Sequence, residues 1–177
     1  MNKFVFLSLF IFFSSFCFAQ TETLSLPWSS LGEWTAESPE ESESETTWML
    51  SSDAGVSMRF TEYKEVLTLS ADQAMRGLMR SAQPDYPKGK MSILEKHSGF
   101  DSEFEYVLFS IEGKYYEPTG KPRSSMYMVV MGDEHTYVLT LSLEVAKFSG
   151  KDKKRWISFF KQGSLVEKES GEVFAQM

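Results

Sequence analysis

Cysteine is almost missing from this 177-residue chain: there is one, Cys17. Everything after it must fold without disulfides, and cysteine nucleophiles, zinc–thiolate centres and iron–sulfur clusters are excluded there. Histidine is nearly as scarce, with only His97 and His135. Positive charge is also short: 18 Lys and Arg stand against 25 Asp and Glu, for a formal net charge of -7. Nucleic acids and anionic membrane surfaces both call for a basic face, so neither is expected as a partner. Beyond the first twenty residues no apolar run approaches the roughly 20 residues that span a bilayer.

What is present begins with an oily leader. Lys3 supplies a minimal positive start, Phe4–Phe18 is apolar apart from Ser8, Ser14 and Ser15, and Cys17-Phe18-Ala19 places small residues where signal peptidase reads them. The apolar stretch is about 15 residues, too short for a retained anchor. Phe16 stands where a lipoprotein site needs a small residue. Residues 1–19 are therefore expected to be a cleaved signal peptide, and the product periplasmic or secreted, with no stable membrane insertion. Residues 20–166 are expected to form one domain and residues 167–177 a flexible tail.

Within that domain, an acidic, serine-rich stretch from Glu33 to Thr47 reads as a loop, bracketed by Trp28, Trp34 and Trp48, which should pin its ends to a core. Trp48–Leu50 and Val56–Tyr63 read as strands joined by an Asp53-Ala54-Gly55 turn. Ser70 with Gln73 forms a capping box, and Ala71, Ala74, Met75, Leu78 and Met79 make the apolar stripe of a helix that ends before Pro84 and Pro87. Strands follow at Lys90–His97, Phe104–Ile111, Ser125–Met131 and Thr136–Leu143. In the last, Tyr137, Leu139, Leu141 and Leu143 should face the core while Thr136, Thr140 and Ser142 point away. Ser149 with Asp152 caps a second helix, about Lys151 to Gln162, whose buried face is Trp156, Ile157, Phe159 and Phe160. Met75, Met79, Met126, Met128 and Met131 follow the buried faces and read as core filling, not as a copper site. The expected class is α+β, a mainly antiparallel sheet with a helix after the early strands and a C-terminal helix packed on it.

This layout resembles the PsbP-like fold, shared by extrinsic subunits of photosystem II, Mog-type Ran-binding protein and many small exported bacterial proteins. The features that carry the resemblance are an early strand near Leu26-Pro27-Trp28, paired strands around Trp48–Tyr63, the helix at Ser70–Arg80, the meander from Lys90 to Leu143, and a terminal helix with Trp156-Ile157-Ser158-Phe159. It spans most of residues 24–163 and rests on element order, not on a motif. The resemblance implies a sandwich and a non-enzymatic binding or accessory role, with no ligand residue transferable by position. A lipid-binding helix-grip fold is the structural competitor, but it wants a longer final helix than the roughly 12 residues, about 18 Å, available here.

Candidate chemistry is sparse. His97-Ser98-Gly99-Phe100-Asp101 gathers a histidine, a serine and an acid, yet a nucleophilic triad needs groups converging from separate elements. His135 follows Gly132-Asp133-Glu134 at a hairpin tip, exposed, without a third metal ligand at a suitable spacing. Glu41, Glu43 and Glu45 alternate like calcium ligands but lack the glycine and aspartates of such loops; they suit a basic partner protein better. Tyr115 and Tyr116 flank the Glu117–Pro122 turn, and one of them should face outward where it can stack on a partner. Lys151, Lys153, Lys154 and Arg155 cluster at a helix start and read as a solvated face. No catalytic residue, metal or cofactor is assigned. The expectation is a non-catalytic module that binds a protein or small ligand in the cell envelope. An immunity or inhibitor protein against a secreted toxin is the alternative, and an exported hydrolase, requiring His97 or His135 in a pocket beside a carboxylate and a hydroxyl, a weaker one.

Overall fold

The computed structural model describes residues 20–28, 34–52, 55–65, 69–97 and 104–169. The expected signal peptide lies outside them, as do Ser98–Phe100 and Asp101 of the His97 constellation. Ten strands and two helices are described: β1 (Gln20–Ser25), β2 (Thr35–Ala36), β3 (Glu40–Glu41), β4 (Glu45–Ser52), β5 (Val56–Tyr63), α1 (Ala71–Ala82), β6 (Lys90–His97), β7 (Glu105–Tyr116), β8 (Lys121–Met131), β9 (Thr136–Leu143), α2 (Gly150–Phe160) and β10 (Ser164–Glu169). The class is α+β, with every described strand pairing antiparallel.

An eight-stranded sheet runs in the order β2-β4-β5-β9-β8-β7-β6, with β3 also on β4, while β1 and β10 form a separate pair. The meander β6 to β9 is the product of short connections. The non-local step is β5 against β9, which joins the early hairpin to the end of the meander. Between them α1 carries the chain across the sheet to the far edge at β6. The helix begins as the sequence predicts: the Ser70 hydroxyl accepts from Gln73 N, and the Gln73 side chain accepts from Ser70 N.

Strand alternation sends side chains to two covered faces. On the first, Phe60, Met126, Met128 and Leu139 pack beneath α2, which contributes Trp156, Phe159 and Phe160. The tryptophans bracketing the acidic stretch are fastened there: Trp28 packs edge-on to Phe159 at 5.7 Å and Trp34 to Trp156 at 6.3 Å. On the second face, Ala71 and Met75 of α1 seal Val107, Phe109, Ile111 and Val129. Burial of each large apolar side chain stabilises the fold by about 1.5–3 kcal/mol, so both helices hold to the sheet through their apolar stripes.

Four sequence expectations are corrected. Glu40–Glu41 and Thr35–Ala36 pair with β4, and β4 itself starts at Glu45, so much of the acidic stretch is sheet edge, not loop. Thr136 and Ser142, expected to point away from the core, lie on the second face but are buried there, because that face packs a second apolar cluster and Ser142 is held against Ser125. Residues 167–169, assigned to a flexible tail, belong to β10, whose Glu169 lies opposite Gln20; the alternation of Leu165 inward within a polar segment was too short to register. His135, expected to be exposed, is enclosed: its side chain is 17% accessible and its Nδ1 lies 2.6 Å from Glu62 Oε1.

Candidate functional site

The second face of the sheet is only half roofed. α1 lies over β7 and β8, and beside it the strands β4, β5 and β9 form the floor of a cleft of about 420 Å³. Its far wall is the end of α1 and the turn after it, with Leu78, Ala82, Asp85 and Tyr86. The volume falls within the range of small-molecule sites.

The floor is built by register. Ser57, Ser142 and Ser125 stand in one row across β5, β9 and β8, and Arg59, Thr140 and Tyr127 in the next. Hydroxyl groups in the first row are already linked: Ser125 Oγ lies 2.8 Å from Ser142 Oγ and 2.7 Å from Tyr86 Oη. Tyr127 stacks on Phe109 at 4.7 Å. Tyr86 reaches this cluster because β7 has a glycine under it; a Cβ on Gly113 would stand 2.8 Å from the Tyr86 ring.

Two guanidinium groups line the cleft. Arg123 on β8 stacks 4.7 Å over the Tyr116 ring, which in turn packs on Tyr86 at 5.0 Å. Arg59 on β5 is exposed, and its Nε points to Met49 Sδ at 3.4 Å. Neither arginine makes an ion pair among the described residues. Asp85 is the single acid of the lining.

Three tyrosines of the cleft, Tyr63, Tyr86 and Tyr127, have hydroxyl pKa values raised above the ordinary one. Burial pushes the Tyr127 hydroxyl far above its ordinary value, and the neighbouring Tyr86 adds to it. Burial likewise raises Tyr86, against a hydrogen bond from Ser125 and the positive charge of Arg123. Tyr63 is raised first by burial and then by the charge of Glu45. The lining therefore offers hydroxyl donors and acceptors and two fixed cations. Among the described residues its lining has no histidine or cysteine.

The residues singled out from sequence are scattered relative to this cleft. Tyr116 lines it; Tyr115 next to it is 47% exposed and faces outward. Glu41 and Glu43 are exposed near the β3 edge, and Glu45 opens β4, acting on Tyr63. His97 ends β6, exposed, with its ring 5.5 Å from Tyr106. His135 sits in the β8–β9 hairpin with Glu62, outside the cleft lining. Of the basic cluster on α2, Lys153 is drawn inward onto Glu112 at 2.7 Å and Arg155 lies over Trp156 at 4.9 Å. Among the described residues no group of three or more His, Cys, Asp or Glu is placed to hold a metal ion, and no helix is long and apolar enough to cross a membrane.

No protein-family model matches the sequence, and no curated protein matches it.

Sequence reasoning passed over Arg59, Arg123, Thr140 and Ser142. A signal was there: Ser57, Arg59, Thr61 and Tyr63 alternate along β5 and Thr140 and Ser142 along β9, a polar face on each. Only the pairing of β5 with β9 turns those two faces into one floor.

Proposed function

We propose that this chain is an exported, non-catalytic binding module of PsbP-like sandwich form, and that its ligand is a small polar molecule held in the cleft beside α1. One observation carries the reading: a sheet covered on both faces is left open over a patch of about 420 Å³ whose floor is serine, threonine, tyrosine and arginine. A fold that only needed stability would close that patch with apolar side chains, as it does under the rest of α1. Residues 1–19 direct export in this reading, and a described lining without histidine or cysteine favours binding over turnover.

The test is a thermal-shift screen of the purified protein against sugars, organic acids, amino acids and nucleotides, run beside Thr140→Trp, which fills the cleft floor. A ligand at a hundred times its Kd stabilises by about 2.7 kcal/mol, which raises Tm by about 5–10 °C for a domain of this size. The shift should vanish in Thr140→Trp. A panel that leaves Tm unmoved, or hits that persist in the filled variant, defeats the proposal. Amino-terminal sequencing of the protein from the envelope fraction tests export, with Gln20 expected first.

A further inference from the structure

We infer that the cleft selects an anionic, hydroxyl-rich ligand, an acid or phosphate derivative of a sugar-like molecule, with Arg123 and Arg59 as the groups that read its charge. The inference rests on the cleft being a binding site.

Charge balance is the first argument. The chain as a whole is acidic, with a net charge of -7. Its cleft inverts that sign, with two arginines against Asp85 alone. Elsewhere five cations are spent on local carboxylates, Arg76 and Lys96 on Asp72, Lys121 on Glu144, Lys153 on Glu112 and Lys161 on Glu95, while exposed ones such as Arg80 and Lys154 lie outside the cleft lining. Arg59 and Arg123 have no such partner among the described residues, and each guanidinium brings five N–H donors suited to an oxyanion.

Preorganisation is the second. Arg123 is laid on the Tyr116 ring, and Tyr116 is braced by Tyr86, whose hydroxyl is tied to Ser125. The guanidinium is thus held at the wall of the cleft before any ligand arrives, which lowers the entropy lost on binding. Arg59 stands two strands and four residues away, so the two Cα atoms are about 16 Å apart. Between them lies the hydroxyl floor of Ser57, Ser142, Thr140 and Tyr127. An oxyanion at one end and hydroxyls along the body match that order of groups; a bare apolar molecule or a cation does not.

The test uses three probes of equal size class, glucuronate, glucose 6-phosphate and glucose, titrated into the purified protein by calorimetry and by NMR of the arginine Nε–Hε signals. At least one anionic probe is expected to bind ten-fold or more tightly than glucose and to move the Arg123 signal. Arg123→Gln should remove that preference, Arg123→Lys should restore part of it, and Arg59→Gln should weaken it several-fold, each with Tm unchanged. Carboxylate and phosphate arms then tell which oxyanion is preferred. If glucose binds as well as both anions and the arginine variants change nothing, the cleft remains a binding site and the charge inference falls. If neither anion moves a cleft signal at millimolar concentration, the inference is also overturned, whatever the wider screen finds.

Discussion

Gly132→Ala offers a sharp test of how β1 is fastened to the sheet. Gly132 begins the β8–β9 hairpin, and its N–H donates to His135 O at 2.9 Å. The three atoms nearest to a Cβ built there all belong to Glu22: it falls 2.6 Å from the Glu22 Cδ and closer still to Oε1. The carboxylate occupies that space because the hairpin cradles it, accepting from Asp133 N at 2.8 Å, His135 N at 3.4 Å and Tyr137 Oη at 3.5 Å. Alanine must push the carboxylate out. A hydrogen bond to a charged group contributes about 1.5–3 kcal/mol, and the cradle is partly open to water, so the cost should be about 1–2 kcal/mol. Urea denaturation would show this as a lower midpoint at unchanged slope. The decisive comparison is the double variant. In a Glu22→Ala background the space is empty, so Gly132→Ala should cost almost nothing, and the coupling energy should equal the single-variant loss. Equal cost with and without Glu22 would refute the reasoning.

Three further outcomes are expected. Tyr127, Tyr86 and Tyr137 all have hydroxyl pKa values raised above the ordinary value of about 10, chiefly by burial; their contribution is complete below that pH and is lost as pH climbs from there toward the folded values. Each such tyrosine adds a slope of about 1.4 kcal/mol per pH unit, and Tyr127→Phe should flatten the alkaline limb of a stability–pH curve by that amount. Truncating Phe160, the 1% exposed last residue of α2, to alanine should cost about 3–5 kcal/mol, read as a Tm drop, and a smaller loss would mean that α2 settles into the gap. Ser110 is fully buried and its hydroxyl has no partner among the described residues; Ser110→Ala should leave stability unchanged or raise it by up to about 1 kcal/mol, and a clear loss in denaturant titration would point to a bound water there.

The sequence was most legible where structure is local. The Ser70–Gln73 capping box, the Met75 stripe, Lys90–His97 and Thr136–Leu143 could all be read from neighbours in the chain. It was least legible where the outcome depends on distant pairing. Thr136 and Ser142 read as solvent-facing because nothing in β9 announces the packing on that side, where Ser142 meets Ser125 beneath Tyr86. The polarity of β5 and β9 reads as ordinary alternation until their register sets Arg59 beside Thr140. His135 looked like an exposed tip residue, since Glu62, which encloses it, is 73 positions away. Of Tyr115 and Tyr116, beside a proline-rich turn, the sequence says only that one faces outward; that one is Tyr115, while Tyr116 packs on Tyr86 and under Arg123.

The pairing of β1 with β10 has a consequence for how the molecule is made. Gln20 is matched to Glu169 and Ser25 to Ser164, so an emerging β1 lacks this hydrogen-bonding mate until β10 has left the ribosome too. At 5–20 residues per second that delay is about 7–30 s. During it, Leu24 lacks the cover that Leu165 beside it gives in the finished fold. The ladder between these two described strands therefore joins the most distant partners in the fold, and it can form only after the segment between them has been made.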